Sequence, residues 1–152
     1  MRIIDILWWA LGFQRPAPAP APTPPPAGNA ILAEINRQRV GRGYAPLTED
    51  SRLTADATAH SRWMAATGNL THTGADGTPP ERLAAVGYGW SDYGENVAAG
   101  QTTAAECVGD WMQSTGHRAN VLGPFTEGGA AVAVAADGQA YWTFVGATPV
   151  SA

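Results

Sequence analysis

The chain of 152 residues carries nine arginines, no lysine and thirteen acidic residues, for a net charge of −4. Its arginines are scattered in ones and twos, without the clustered cations that displace counterions from a nucleic acid, so no nucleic-acid partner is expected. A single cysteine, Cys107, excludes an internal disulfide framework and a cysteine-based zinc knuckle, and the length suits one hydrophobic core.

Residues 3–13 read IIDILWWALGF, apolar apart from Asp5. The run falls short of the roughly 20 apolar residues that span a bilayer. It has the length of a secretion-signal core, with Arg2 ahead of it, but no clean small-x-small cleavage site follows. Trp8 and Trp9 suit a membrane interface or a hydrophobic docking surface. Residues 1–14 are therefore expected to be a degenerate signal or anchor, with membrane contact through residues 3–13. Residues 15–29, RPAPAPAPTPPPAGN, favour extended polyproline conformation, rising ~3.1 Å per residue, and read as a semi-rigid linker. The folded domain is expected over residues 30–147.

Within it, Asn29 is expected to cap a helix over about 30–39, with Ile31, Leu32 and Ile35 on its apolar face. A second helix is predicted from Thr48 or Glu49 to Ala66, closed by Gly68 and Asn69. Leu53, Ala57, His60 and Met64 share one of its faces, with Ala59 and Trp63 on a neighbouring stripe. Residues 71–101 hold eight glycines and prolines and read as a long irregular loop, a kind that is usually functional. Thr102 or Thr103 then caps a helix in which Ala104, Cys107, Val108, Trp111 and Met112 form an amphipathic stripe. Residues 130–145 read as a hairpin around Asp137-Gly138. Early helices and a late hairpin give an α+β class, with helices packed on an antiparallel sheet.

Three strings gather the chemically capable side chains: L-T-H-T-G at 70–74, Y-G-E-N-V at 93–97 and W-M-Q-S-T-G-H-R-A-N at 111–120. With A-H-S-R-W-M-A-A-T-G-N-L-T-H at 59–72, D-G-T-P-P-E-R-L at 76–83, F-T-E-G-G at 125–129 and Y-W-T-F at 141–144, the chain resembles the CAP superfamily. These SCP domains occur in cysteine-rich secretory proteins, antigen 5 and pathogenesis-related proteins. The likeness is to the bacterial branch and spans about Ala30 to Val145.

The resemblance implies a three-layer α-β-α sandwich with a central antiparallel sheet. It also implies an open cleft lined by His72, Glu95 and His117, on a secreted or cell-surface monomer. In animal members a second acid lies three residues after the tryptophan of the late helix. Here that position is Ser114, and Glu106 lies off the apolar stripe, so a three-residue site is expected. Two imidazoles and a carboxylate can bind zinc or another divalent cation, with His72 and His117 as metal ligands. They can instead exchange protons, or form a hydrogen-bonded network that fixes a loop. Glu95, between Gly94 and Asn96, is expected to organise that loop by accepting backbone N–H groups.

Among the other residues, His60 reads as a hydrogen-bonded core histidine, Cys107 as a small buried hydrophobe, and Asp76 and Asn120 as turn residues. Trp90 and Tyr93 either line the cleft as stacking surfaces or staple the loop. The leading expectation is a binding module for a small molecule, lipid, glycan, peptide, metal or cell-surface ligand. Against it stand a hydrolase, metal-assisted or dependent on Ser114, and a purely structural surface domain.

Overall fold

The apolar spacing that marks helices in the sequence becomes buried faces in the computed structural model, which describes residues 27–151. The segment 1–14 and residues 15–26 of the expected linker lie outside the described residues. Helix α1 (Ala27–Val40) buries Ile31, Leu32 and Ile35, as expected. It begins at Ala27, so Asn29 lies inside the helix rather than at its cap. The proline run, which bars a helix interior, ends at residue 26 and leaves these positions open to helix.

The start of the second helix also needs correction. Thr48 and Glu49 form a two-residue strand, β1 (Thr48–Glu49), and Asp50 caps helix α2 (Ser51–Thr67). Its carboxylate accepts from the backbone N–H of Arg52 at 2.8 Å and of Leu53 at 3.4 Å, and an anion there complements the helix dipole. Gly68, at φ 70, closes the helix in the left-handed region. Leu53, Ala57, His60 and Met64 are all fully buried, whereas Ala59 is exposed and Trp63 half-buried, so one stripe alone faces the core.

The largest departure is in residues 71–101, which are not a loop throughout. They contain helix α3 (Pro79–Ala85) and strand β2 (Trp90–Ala99). The two prolines that read as loop punctuation occupy the first helical positions, where their missing N–H costs nothing. The Glu81 carboxylate accepts from the backbone N–H and hydroxyl of Thr78, at 2.8 and 2.7 Å, and closes a capping box.

Helix α4 (Ala104–Gln113) is capped by Thr103, whose hydroxyl accepts from the Glu106 N–H at 3.1 Å. It buries Cys107, Val108, Trp111 and Met112. Ser114 interrupts the path, and a separate short helix, α5 (Thr115–Val121), carries His117. Strands β3 (Glu127–Val134) and β4 (Ala140–Pro149) form the expected hairpin, turned where Gly138 sits at φ 88.

The sheet order is β1-β3-β4-β2, antiparallel except for the short parallel β1–β3 pair. Side chains alternate along β4. Trp142 and Phe144 enter a core with Ile31, Ile35, Val108 and Trp111, while Tyr141 and Val145 pack on the opposite side with Met64 and Leu53. Helices α1, α4 and α5 thus cover one face and α2 and α3 the other, which is the three-layer α-β-α sandwich. Strand β2 is an edge whose outward carbonyls are covered. The Glu95 carbonyl accepts from Asn120 Nδ2 at 2.9 Å and the Val97 carbonyl from Trp111 Nε1 at 3.3 Å.

Close packing of α2 on β3 depends on Gly129, where a Cβ would fall 2.2 Å from the Thr54 backbone nitrogen. Gly129→Ala is expected to destabilise by about 3 kcal/mol, because backbone cannot yield as a flexible side chain can. Gly109→Ala, inside α4 with nothing within 4 Å of the new methyl, is expected to stabilise by about 0.5–1 kcal/mol. Urea unfolding of the two variants checks both signs.

Candidate functional site

The G-E-N string lies on β2, and each of its residues faces differently. Gly94 allows close approach of α5 and the segment after it, since a Cβ there would meet Asn120 Oδ1 at 2.7 Å and Phe125 at 2.9 Å. Glu95 points to the α2/α3 side of the sheet. Asn96 points to the other side, donating from Nδ2 to the His117 carbonyl at 2.9 Å and accepting from Asn120 Nδ2 at 2.8 Å. This edge strand therefore joins the loop that carries His72 to the helix that carries His117.

The Glu95 carboxylate is almost completely buried, at 2% side-chain exposure, and both its oxygens are engaged. Oε1 lies 2.9 Å from His72 Nδ1, and Oε2 accepts from an Arg82 terminal nitrogen. The expectation that Glu95 organises a loop by accepting backbone N–H groups is thus corrected. On a paired strand those groups serve the ladder, and the carboxylate binds side chains instead. Arg82, buried on α3, also donates to Asp56 Oδ1 at 3.1 Å, to the His72 carbonyl at 2.8 Å and to the Gly77 carbonyl at 3.1 Å.

The His72 ring is half-exposed, at 51%, and its Nε2 has no hydrogen-bond partner among the described residues. Its pKa is raised above the ordinary imidazole value, chiefly by the hydrogen bond to Glu95 and further by that carboxylate's charge. His117 is half-buried on α5 and shifts downward, first through burial and then through the charge of His72. Burial pushes the Asp56 carboxyl up, opposed by the Arg82 charge.

His60 is the core histidine expected, with no exposure. Its Nδ1 lies 2.7 Å from Asp76 Oδ2 and its Nε2 2.8 Å from the Thr71 carbonyl, so it ties α2 to the loop preceding α3. Asp76 and Asn120 are consequently more than turn residues, since each bonds across elements. Ser114 joins α4 to α5, its carbonyl accepting from the Arg118 N–H at 2.8 Å, and its hydroxyl bonds neither imidazole. Glu106 is exposed and bonds Thr102, away from the site. Trp90 and Tyr93 pack edge-to-face at 4.6 Å and lean on the Leu53, Leu83 and Tyr88 cluster, with Tyr93 one pleat from Glu95 on the same face. Cys107 is buried.

Sequence reasoning missed Arg82, Asp56 and the linking roles of Asn96 and Asn120. Arg82 stood inside the quoted D-G-T-P-P-E-R-L string, but the carboxylates that it meets, Asp56 and Glu95, are distant in sequence and left no local signal.

The chain belongs to the cysteine-rich secretory protein (CAP) family, whose model matches residues 32–146. It is 35% identical over 95 residues to the uncharacterized protein YkwD of Bacillus subtilis, a match covering 62% of this chain and 37% of that protein. Its fold is similar to that of an outer surface protein from Borrelia burgdorferi, with a TM-score of 0.74 and 18% identity over 80% of this chain and 92% of that one. It is also similar to an extracellular protein containing an SCP domain from Bacillus anthracis, with a TM-score of 0.69 and 26% identity over 78% of this chain and 40% of that one. The chain thus spans well under half the length of YkwD and of the Bacillus anthracis protein. The family and its bacterial type are those expected from the motifs. Among the described residues, no helix is long and apolar enough to cross a membrane.

The shifts of the two histidines have opposite consequences for stability. Because His72 is raised, its contribution is present below the unfolded histidine range and is lost as pH rises through its folded pKa. Because His117 is lowered, its contribution is present above the unfolded range and is lost as pH falls through its folded pKa. Solvent screening keeps the His72 effect small. In an NMR titration His72 is expected to titrate above His117, and Glu95→Gln is expected to bring His72 down. His72 titrating at or below His117 in the unaltered protein would contradict the assigned geometry.

Proposed function

We propose that this is an extracytoplasmic binding domain whose cleft, at the covered edge of β2, takes a small ligand against His72 and His117. The observation that carries this reading is the state of His72. Its Nδ1 is tied to a buried carboxylate while the opposite nitrogen is left to solvent, the arrangement of an imidazole prepared to bind. Tyr93 and Trp90 supply an adjoining aromatic wall for the apolar part of a lipid, glycan or peptide. The extracellular description of the Bacillus anthracis relative supports export, as does the apolar start of the sequence.

A divalent cation fits the donor chemistry only in part. Among the described residues no three or more His, Cys, Asp or Glu side chains are grouped to hold a metal ion. Both Glu95 oxygens are already committed, which leaves His72 Nε2 and the His117 ring as the available donors. A zinc ion held there would supply a positive charge for an anionic ligand group, with water or that ligand completing its shell. No observation favours hydrolysis over binding, since the Ser114 hydroxyl bonds neither imidazole.

Calorimetric titration of the full chain with zinc chloride and with lipid vesicles tests the proposal. The unaltered protein is expected to bind at least one of them, with affinity lost by tenfold or more in the His72→Ala/His117→Ala variant. Identical isotherms for the two proteins would remove the cleft-binding reading.

A further inference from the structure

The loop between α2 and α3 is held from beneath, through its carbonyls. His60 Nε2 lies 2.8 Å from the Thr71 carbonyl, and Arg82 donates to the carbonyls of His72 and Gly77 at 2.8 and 3.1 Å. The loop's main chain thus turns inward to two buried side chains, while the His72 ring stands half out in solvent. Arg82 reaches His72 by two routes. One terminal nitrogen holds its backbone carbonyl. The other holds Glu95, whose remaining oxygen takes His72 Nδ1. A closed ring results, Arg82 to Glu95 to the His72 imidazole and back through the His72 main chain.

We propose that Arg82 is the positioning residue of the candidate site, fixing the ring orientation of His72 and selecting its Nδ1–H tautomer so that the Nε2 lone pair faces the cleft. Glu95 alone does not account for this, because an unrestrained carboxylate on an edge strand can rotate away from an exposed imidazole. The planar guanidinium removes that freedom. Its fork meets Glu95 Oε2 on one arm and the His72 carbonyl on the other, and its Nε is anchored by Asp56 Oδ1 at 3.1 Å. The carboxylate that accepts from Nδ1–H then makes the opposite nitrogen the acceptor. A lysine would keep the charge but, as a compact ammonium on a flexible stem, would not reproduce the fixed fork that meets these acceptors.

This inference builds on the binding reading but is tested without any ligand, so the two fail separately. The measurement is the ring 15N shifts of His72 in the full chain, at a pH where the imidazole is neutral. The unaltered protein is expected to show the Nδ1–H tautomer. Arg82→Lys is expected to shift His72 to the Nε2–H form that free imidazole favours, while the amide spectrum of β3 and β4 stays native. A second variant, Arg82→Met with Asp56→Asn, avoids stranding the Asp56 carboxylate if loss of the cation impairs folding, and it is expected to give the same shift. His72 keeping its Nδ1–H tautomer in both folded variants would overturn the proposal, reducing Arg82 to a structural cation.

Discussion

The site depends on a buried ionic contact between Arg82 of α3 and Glu95 of the edge strand β2. Both side chains are almost fully removed from water, where an isolated charge would cost several kcal/mol. The pair persists because every arm of the guanidinium has an oxygen to meet and the carboxylate has a second donor in His72. This satisfaction lets a short helix and a loop with little apolar content sit firmly on the sheet. Removing either ion would loosen the His72 loop before it loosened the core.

The His117 side of strand β2 is held by different chemistry. Helix α5 meets β2 through neutral amides, with Asn120 on the Glu95 carbonyl and Asn96 on the His117 carbonyl. Its far end is fixed by Arg39 of α1, buried and donating to the carbonyls of Val121 and Gly123 at 2.9 and 2.8 Å. The two histidines therefore come from opposite layers of the sandwich, each tied to the same strand. Glu95 and Asn96, adjacent in sequence, face opposite sides of the sheet and hold one histidine each. A sheet edge makes this arrangement possible, because only there can elements from both faces approach the same backbone.

Much of this was legible in the sequence, and the parts that were not have physical reasons. Helix α4 and the β3–β4 hairpin were evident because their apolar periods are clean and their caps and turn local. Strand β2 was hidden because Asp92, Glu95 and Asn96 interrupt any alternation. Glu95 and Asn96 are buried there by an ion pair and by amide hydrogen bonds formed with distant segments. Helix α3 was hidden because seven residues are too few for a periodic signal and its start is marked by prolines. His72, Glu95 and His117 were singled out through the motifs; in the structure His72 bonds Glu95 at 2.9 Å, and the His117 carbonyl accepts from Asn96 of the same strand. Arg82 was passed over because arginine normally belongs at the surface, and its burial is decided only by the acids from α2 and β2 that surround it.

Arg82 and Glu95 are expected to act as one energetic unit. A double-mutant cycle over Arg82→Met and Glu95→Gln, read by urea unfolding, tests it directly. Arg82→Met alone is expected to cost about 3–5 kcal/mol, and the double variant less than the two single changes summed, with a coupling of ~1–3 kcal/mol. Single effects that add to within about 0.5 kcal/mol would contradict it.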